Sequence, residues 1–218
     1  MDERTVQDRL VEAAEVLFCQ RGFDDTGVRE IAAAAGCNVA SINYYFGGKD
    51  RLYVEVWRRQ LGIMRETRTA GIRKAMSGNE LPSLEELLKS YARSFFEPLA
   101  DESGLSVGQG HCRFVELMIR EMVDPRLPAD MFVTEMVSPV MAVLTEAIQT
   151  VCPWLKPPTV QRMILSVVGQ LVYVVAARRM FERCDCANLP RLNPEEMIDH
   201  IVRFSAAAIR GYEKGERE

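Results

Sequence analysis

The side chains best suited to recognising another molecule fall in one stretch, Thr26 to Leu52. Near its middle, three small residues precede two that can form hydrogen bonds, and a lysine follows two glycines: Val39, Ala40, Ser41, Asn43, Tyr44 and Lys49. Small side chains let a helix backbone approach its target closely, while amide, hydroxyl and ammonium groups can donate to phosphate oxygens or to base edges. This combination predicts binding to double-stranded DNA.

Two short helices around a tight turn would position these side chains. An apolar stripe of Val28, Ile31, Ala32 and Ala35 indicates the first helix. A break at Gly36-Cys37-Asn38 then separates it from a second helix, Val39 to Phe46, which ends at Gly47-Gly48. This arrangement predicts a helix-turn-helix, in which the first residues of the second helix enter the major groove.

The second helix has a predictable inner and outer face. Ile42 and Phe46 are four residues apart and form the inward stripe, and Asn38 occupies the N-cap position. Because Tyr44 and Tyr45 cannot both share the inward side with Phe46, at least one tyrosine is expected at the surface.

The residues before this unit predict how it is anchored. The apolar spacing of Thr5 to Gln20 is that of an amphipathic helix. Gly22 suits the left-handed position just past its end, and Phe23 can fold back into the core. Thr26 is the best placed N-cap for the next helix.

Residues 5–62 resemble the N-terminal DNA-binding domain of the TetR family of bacterial transcriptional regulators. The resemblance lies in Phe23, Thr26, the block Val28 to Gly36, the run Ile42 to Phe46 and Lys49 to Leu52. Asn43 stands where a tyrosine is common in the family, and Tyr45 where a histidine is usual. These departures leave the fold unaffected but prevent transfer of an operator sequence.

The resemblance implies which residues touch DNA: Thr26, Arg29, Val39, Ala40, Ser41, Asn43, Tyr44 and Lys49. We assign Thr26, Tyr44 and Lys49 to phosphates on the chemistry of their side chains, and the remaining five to base edges. The amides at the start of the helix that Lys49 opens would add to an anion site there.

The rest of the chain also predicts helices, so the fold class is all-α. The expected helices are Lys49 to about Met76, Ser83 to about Phe96, His111 to Val123, Met131 to Val151, about Thr159 to Cys184 and Pro194 to Glu213. Pro139 predicts an interruption near Ser138, and Asp101 to Gly110 is expected to be a loop. We therefore predict a three-helix DNA-binding domain, residues 1–62, and a helical ligand-binding and dimerisation domain, residues 63–218.

The last two helices, about 159–184 and 194–213, predict a homodimer. The first is apolar nearly all round, and a helix of that kind is buried on every side. Pairing with a second copy would form a four-helix interface, and the same helix pair commonly makes the dimer in the family. Short segments also resemble the CecR-like branch of the family: Arg120 to Pro125, Val168 to Gln170 and His200 to Phe204.

A small-molecule pocket is expected in the C-terminal domain. Candidate residues are Phe95, Phe114, Met118, Met141, Trp154 and Tyr173 as walls, with Arg120, Glu121 and Gln170 as polar anchors. Each residue alone is more typical of a helical core. As a set they indicate an apolar or aromatic effector.

Composition limits the function classes. The chain has 218 residues, 48% apolar and 27% charged, with a net charge of −4. Residues 1–76 hold 12 Lys or Arg against 11 Asp or Glu, and the remainder 15 against 20. Screening confines each field to about 10 Å, so a local group of cations suffices for DNA.

Several alternatives are disfavoured by missing patterns. The sequence has no run of about 18 apolar residues and no apolar leader, which predicts a cytoplasmic protein. Cys184 and Cys186 form the only close cysteine pair and lack further zinc ligands. With two histidines, no P-loop and no dinucleotide fingerprint, we expect neither a cofactor nor an enzyme.

One alternative function stays open. Asn43 and Tyr45 are also compatible with a helical ligand-binding or partner-binding protein whose DNA-reading domain is vestigial. The operator, the effector, the regulated genes and the sign of regulation are not encoded in these patterns.

Overall fold

The computed structural model describes residues 5–96, 117–121, 123–182 and 193–215. The helices are α1 (Val6–Arg21), α2 (Val28–Ala34), α3 (Ala40–Phe46), α4 (Lys49–Met76), α5 (Leu84–Phe96), α6 (Ser138–Val151), α7 (Pro157–Glu182) and α8 (Pro194–Gly215). Residues 117–121 and 123 are also helical. No strand occurs within these ranges, which confirms the all-α prediction. The predicted loop 101–110, Phe114, Cys184 and Cys186 lie outside them.

Side-chain caps define helix starts as the sequence predicted. The Ser83 amide donates to Glu86 Oε2 (2.8 Å), and the Glu86 amide donates to Ser83 Oγ (3.2 Å), which completes a capping box before α5. Asn193 Oδ1 accepts the Glu195 amide at 3.0 Å before α8. These bonds satisfy amides that have no acceptor within their own helix.

The interruption predicted near Ser138 is confirmed. A π-helical turn spans Val133–Val137, and α6 begins directly after it with Pro139 in its first turn. Proline has no amide hydrogen, so a regular helix could not continue through this position without losing a hydrogen bond.

The chain divides into two compact units. The first unit is Met1–Ile63 with Val107–Glu135, and the second is Met64–Ser106 with Met136–Glu218. The first boundary lies one residue from the predicted one. The described residues of 107–135, which the sequence analysis places in the C-terminal domain, make most of their contacts with the first unit, and the predicted domain division itself stays a prediction. Two of these contacts are the hydrogen bonds Tyr53–Glu121 and Arg126–Asp24, whose partners are 68 and 102 positions apart in the sequence. Helical periodicity carries no information on contacts at such separations.

The core of the first unit comes from α1 to α4. Its fully buried side chains include Leu10, Phe18, Ile31, Ile42 and Trp57. Phe23, predicted to fold back into this core, contacts Phe18 and Tyr53 with ring centroids 5.8 and 5.0 Å apart. Gly22 has a φ of 83°, the positive value expected of glycine past a helix end.

The second unit is a helical bundle in which α5, α6 and α7 contact one another and α8 packs on α5 and α7. Three ion pairs flank the α5–α8 contact: Lys89–Asp199 (2.6 Å), Arg93–Glu195 (3.1 Å) and Arg210–Glu85 (2.5 Å). Such exposed pairs stabilise by at most about 1 kcal/mol each. The buried leucines of α5 and isoleucines of α8 therefore contribute most of the stability of this contact.

Within one chain, helix α7 keeps an exposed side, so its burial on every side by a second copy stays a prediction. Leu165 is 56% exposed and Tyr173 61% exposed. Residues Pro157–Ala177 are long and apolar enough to cross a membrane, with a mean hydropathy of 1.6, and 39% of this stretch is buried within the chain. One such helix is weak evidence for a membrane protein, because core helices of soluble proteins can be equally long and apolar.

Thr26 holds the turn between α1 and α2 instead of capping α2. Its side chain is buried, and its hydroxyl lies 2.7 Å from the Gly22 carbonyl oxygen and 3.3 Å from that of Leu17. The N-cap of α2 is Gly27, whose amide donates to Glu30 Oε2 at 3.0 Å. The predicted capping role is therefore wrong, because the threonine oxygen faces the carbonyls at the end of α1.

We predict that Thr26→Val destabilises the fold. Valine keeps the volume but leaves the buried Gly22 carbonyl without its donor, which costs about 1–3 kcal/mol of unfolding free energy. Thr26→Ser retains the hydroxyl and should cost less. Urea unfolding followed by circular dichroism measures both. Equal stability of wild type and the valine variant would show that this hydroxyl does not hold the turn.

Candidate nucleic-acid interface

The rotation of α3 is set by one buried side chain. Ile42 is 1% exposed, and α3 contacts both α1 and α2. Before the helix, Asn38 Oδ1 accepts the Ala40 amide at 2.9 Å, although the N-cap residue is Val39, one position after the predicted Asn38. A short helix capped at one end and buried along one side presents a fixed opposite side to its surroundings.

That opposite side carries most of the residues predicted to contact DNA. Val39, Ala40, Asn43 and Tyr44 are exposed, Tyr44 at 82%, and Ser41 is half-buried. Their spacing places the four exposed residues on one side of a helix. The small residues come first and the hydrogen-bonding residues follow one turn later, in the order that close approach to a groove requires.

Both tyrosines of α3 are at the surface. Tyr45 is 40% exposed, and its ring meets that of Tyr44 edge to face at 4.9 Å. Phe46, predicted to face inward with Ile42, is only half-buried. The expectation of an exposed tyrosine is confirmed, and the Tyr44 hydroxyl lies at the end of the more exposed ring.

Helix α2 contributes an exposed cation, Arg29. The neighbouring Glu30 is already engaged, since it accepts from the Gly27 amide and pairs with Arg21 at 2.7 Å. The Gly27 amide and then the Arg21 guanidinium hold the pKa of Glu30 below its ordinary value. The carboxylate therefore stays ionised at neutral pH and keeps its capping role.

Lys49 opens α4 and lies close to the turn that Thr26 holds. Its ammonium is 4.2 Å from the Phe23 ring centroid and 3.5 Å from the Asp24 carbonyl oxygen. The first intrahelical acceptor of α4 is the Gly48 carbonyl, which takes the Leu52 amide. Earlier amides of this first turn have no acceptor within the helix, so amides and ammonium together favour an anion there.

Of the eight residues predicted to contact DNA, Thr26 alone is excluded by its position. Its side chain is buried and its hydroxyl donates within the protein, so it cannot contact a phosphate in this conformation. Arg51 is an exposed cation that the sequence reasoning passed over. Its side chain extends along Gly47. The sequence signal that could have identified Arg51 is its position as the third residue of α4.

The segment that follows the described helical residues 117–121 contacts the same turn. Arg126 pairs with Asp24 at 2.6 Å, and its guanidinium carbon lies 5.0 Å from the Phe23 ring centroid. Phe23 is thus in contact with two cations, Lys49 and Arg126. We call Phe23, Asp24, Lys49 and Arg126 the Phe23 cluster.

The sequence analysis named Glu121 as a polar anchor for a ligand. In the structure its carboxylate instead accepts hydrogen bonds from within the protein and supports this segment. One carboxylate oxygen accepts the amides of Arg126 and Leu127, both at 2.6 Å, and the other accepts the Tyr53 hydroxyl at 2.9 Å. Burial raises the pKa of Tyr53 well above its usual value, so the hydroxyl remains a donor. Both oxygens of Glu121 are therefore occupied by internal donors.

The other predicted ligand residues are divided between the two units, and a common pocket for them stays a prediction. Met118 and Arg120 belong with Glu121 to the first unit, where Arg120 lies beside Gly22. The remaining described candidates belong to the second unit: Phe95 is buried, Met141 and Gln170 are half-buried, and Trp154 and Tyr173 are exposed. Helical spacing shows which positions are apolar but not which of them converge.

Gln170 lines a groove of about 280 Å³ between α7 and α8. The groove residues are Thr159, Arg162, Met163, Ser166, Val167, Gln170, Phe204, Ser205, Ala208, Ile209 and Tyr212. Gln170 Nε2 lies 3.4 Å from Ser205 Oγ across it. Phe204 is 60% exposed, so a large apolar side chain at this groove is uncovered within one chain.

The chain is similar to known transcriptional regulators over short segments of sequence. The probable HTH-type transcriptional regulator YttP of Bacillus subtilis (strain 168) is 52% identical over 48 residues, 22% of this chain and 23% of that protein. The HTH-type transcriptional dual regulator CecR of Shigella flexneri is 50% identical over 46 residues, 21% of this chain and 20% of that protein. The matches thus span about a fifth of each relative.

Solved structures match nearly the whole fold. A TetR-family transcriptional regulator from Mesorhizobium loti MAFF303099 has a TM-score of 0.69 at 18% identity, over 93% of this chain and 96% of that one. The fatty acid degradation regulator FadR from Bacillus halodurans has a TM-score of 0.63 at 20% identity, over 91% and 97%. At such identities the likeness concerns the fold alone.

Family models match both parts of the sequence. Residues 10–56 match the family described as bacterial regulatory proteins, tetR family. Residues 93–208, more than half of the chain, match the tetracyclin repressor-like C-terminal domain. The order of the two matches is that of the helix-turn-helix and the helical bundle described above. The chain belongs to the TetR family of bacterial regulatory proteins.

Proposed function

We propose that this protein is a DNA-binding transcriptional regulator that reads its operator with α3. The observation that carries the proposal is the exposed side of α3, where Val39, Ala40, Asn43 and Tyr44 lie opposite the buried Ile42. Its relatives named above are HTH-type transcriptional regulators, which supports the same function.

The side chains divide into two roles. Val39 and Ala40 are apolar and small, and fit against a thymine methyl group, whereas Ser41, Asn43 and Arg29 can hydrogen-bond to base edges. The Tyr44 hydroxyl and the Lys49 ammonium bind phosphates and set the register of the helix. Thr26 has no place in this set and acts through the turn it holds.

The active form is a homodimer that binds a palindromic operator. Two half-sites one turn apart require two reading helices roughly 34–36 Å apart, which one protomer cannot supply. The exposed Leu165, Tyr173 and Phe204 of α7 and α8 support these helices as the interface, since a second copy would cover them.

Regulation follows from a change in the spacing of the two reading helices. A small molecule bound in the C-terminal domain that favours a different spacing weakens operator binding by its difference in affinity for the two states. We propose that the protein is a cytoplasmic repressor that such a molecule releases from DNA. The family supports repression, and the helical bundle of the second unit supports an effector with an apolar or aromatic body.

The DNA contact predicts a defined salt dependence. Genomic fragments selected on immobilised wild-type protein provide the operator for a gel-shift titration over several salt concentrations. Replacing Lys49 by Gln should weaken binding and reduce the slope of log K against log salt by about 1 for each protomer, because one phosphate contact is lost. Lys74→Gln, which removes an exposed lysine from the other end of α4, should leave the slope unchanged.

Two results would contradict this assignment. Equal slopes of log K against log salt for wild type and the Lys49 variant would show that Lys49 does not contact a phosphate. The absence of saturable, salt-sensitive binding even at low salt would support the alternative, a helical ligand-binding or partner-binding protein with a vestigial reader.

If α7 and α8 form the dimer interface, a charged substitution on α8 should disrupt the dimer. Phe204→Glu should shift the protein from dimer to monomer in sedimentation equilibrium, because the interface would have to bury a carboxylate. Val16→Glu changes a comparably exposed apolar residue of α1, 52% against 60%, and should leave the dimer intact. A dimer that persists in the Phe204 variant at micromolar concentration would place the interface elsewhere.

A further inference from the structure

Arg68 is a buried cation in the second unit. It lies on α4, and only 6% of the residue is exposed. Its guanidinium carbon is 3.8 Å from the centroid of the Phe95 ring, and Nη1 is 2.9 Å from the thioether sulfur of Met136. Nε is buried without a hydrogen-bond partner. Among the described residues, no carboxylate forms an ion pair with this guanidinium.

The surroundings of Arg68 do not neutralise its charge. Burial lowers the pKa of Arg68 to about 10, so the group remains protonated at neutral pH. Burial also raises the pKa of the nearby Tyr91 to about 12, so its hydroxyl is uncharged. A thioether is a weak acceptor, and the face of Phe95 compensates a buried cation only in part. Burying a charge without an anion is costly to folding.

The geometry around Arg68 is that of an incomplete anion site with an apolar wall. Phe95 covers one face of the guanidinium plane, and the Tyr91 ring meets Phe95 edge to face at 5.3 Å. The edge of the plane that contains Nε is left without a protein acceptor among the described residues. An oxyanion can accept two parallel N–H hydrogen bonds from such an edge. These bonds are stronger than those that a neutral acceptor forms.

A second buried polar group in the same unit lacks a partner. Thr145 of α6 is 7% exposed, and its hydroxyl has no hydrogen-bond partner within the described part of the chain. Buried polar groups are nearly always satisfied in folded proteins. Thr145 lines a separate groove with Glu146 and Gln149 that does not include Arg68, so the inference below rests on Arg68 alone.

We propose that Arg68 is the anchor for the anionic end of the effector, which is therefore an organic acid with an apolar or aromatic body. The acid group accepts from the Nε edge of the guanidinium, and the body packs against Phe95 and Met136. This inference rests on the proposed regulation by a small molecule and narrows its chemical class.

Two fluorescent probes of similar shape test the charge requirement. 8-Anilinonaphthalene-1-sulfonate carries an oxyanion on an aromatic body, and N-phenyl-1-naphthylamine is the same body without the sulfonate. Titration of the full-length protein without DNA should show tighter binding of the sulfonate. Decanoate should displace the sulfonate, whereas decan-1-ol at the same concentration should displace it less.

Arg68→Met removes the charge and keeps the length of the side chain. This variant should bind the sulfonate at least about tenfold more weakly, the loss expected for charge-assisted hydrogen bonds, and bind the neutral probe within about twofold of wild type. Arg162→Met is the matched control, because Arg162 is exposed and lines the groove between α7 and α8. It should leave both probes unchanged.

A stability measurement separates a binding role from a structural one. Because Arg68 has no ion-pair partner among the described residues, Arg68→Met should unfold at a temperature equal to or above that of wild type. A lower unfolding temperature with equal weakening of both probes would show a structural residue and overturn the proposal. Unchanged sulfonate binding in this variant, loss in Arg162→Met instead, or no preference for the sulfonate in wild type would also overturn it.

The outcome is independent of DNA recognition. Operator binding without added ligand is measured separately by gel shift, so a failed anion test with intact operator binding rejects the organic acid and leaves the regulator. Absence of operator binding with intact sulfonate binding would reject the DNA-binding regulator and leave the organic acid as a ligand.

Discussion

Burial of Ile42 is the constraint on which the DNA-reading surface depends. Because Ile42 is buried and α3 contacts both α1 and α2, the rotation of this seven-residue helix is set, and its small and hydrogen-bonding residues point away from the core. The helix is too short to be stable alone. Its orientation is therefore a property of the whole three-helix unit, including the turn that the buried Thr26 hydroxyl holds.

The Phe23 cluster links this reading unit to residues that come much later in the chain. The ring contacts Lys49 on one side and Arg126 on the other, and Arg126 also pairs with Asp24. A displacement of Arg126 would remove the ion pair and one of the two cations at the ring, and so change the electrostatic surroundings of Lys49. Within the first unit, the proposed phosphate contact is thus sensitive to the segment that Glu121 supports.

Local signals predicted local structure well, and contacts between distant positions were not predicted. The bounds of α4, the Ser83 cap and the break before Pro139 follow from residue type and spacing. The Thr26 prediction failed because a hydroxyl can reach either the following amides or the preceding carbonyls. Glu121 and Arg68 were misjudged or missed, since their partners are decided by tertiary packing.

The most direct test of the account is a hydroxyl-radical footprint of the wild-type protein on a genomic fragment that it selects. The account predicts two symmetric protected segments with centres roughly one helical turn, about 34–36 Å, apart, where two copies of α3 enter successive major grooves. A single unpaired segment would contradict the dimeric reader. Uniform weak protection along the fragment would contradict sequence-specific reading by α3 altogether.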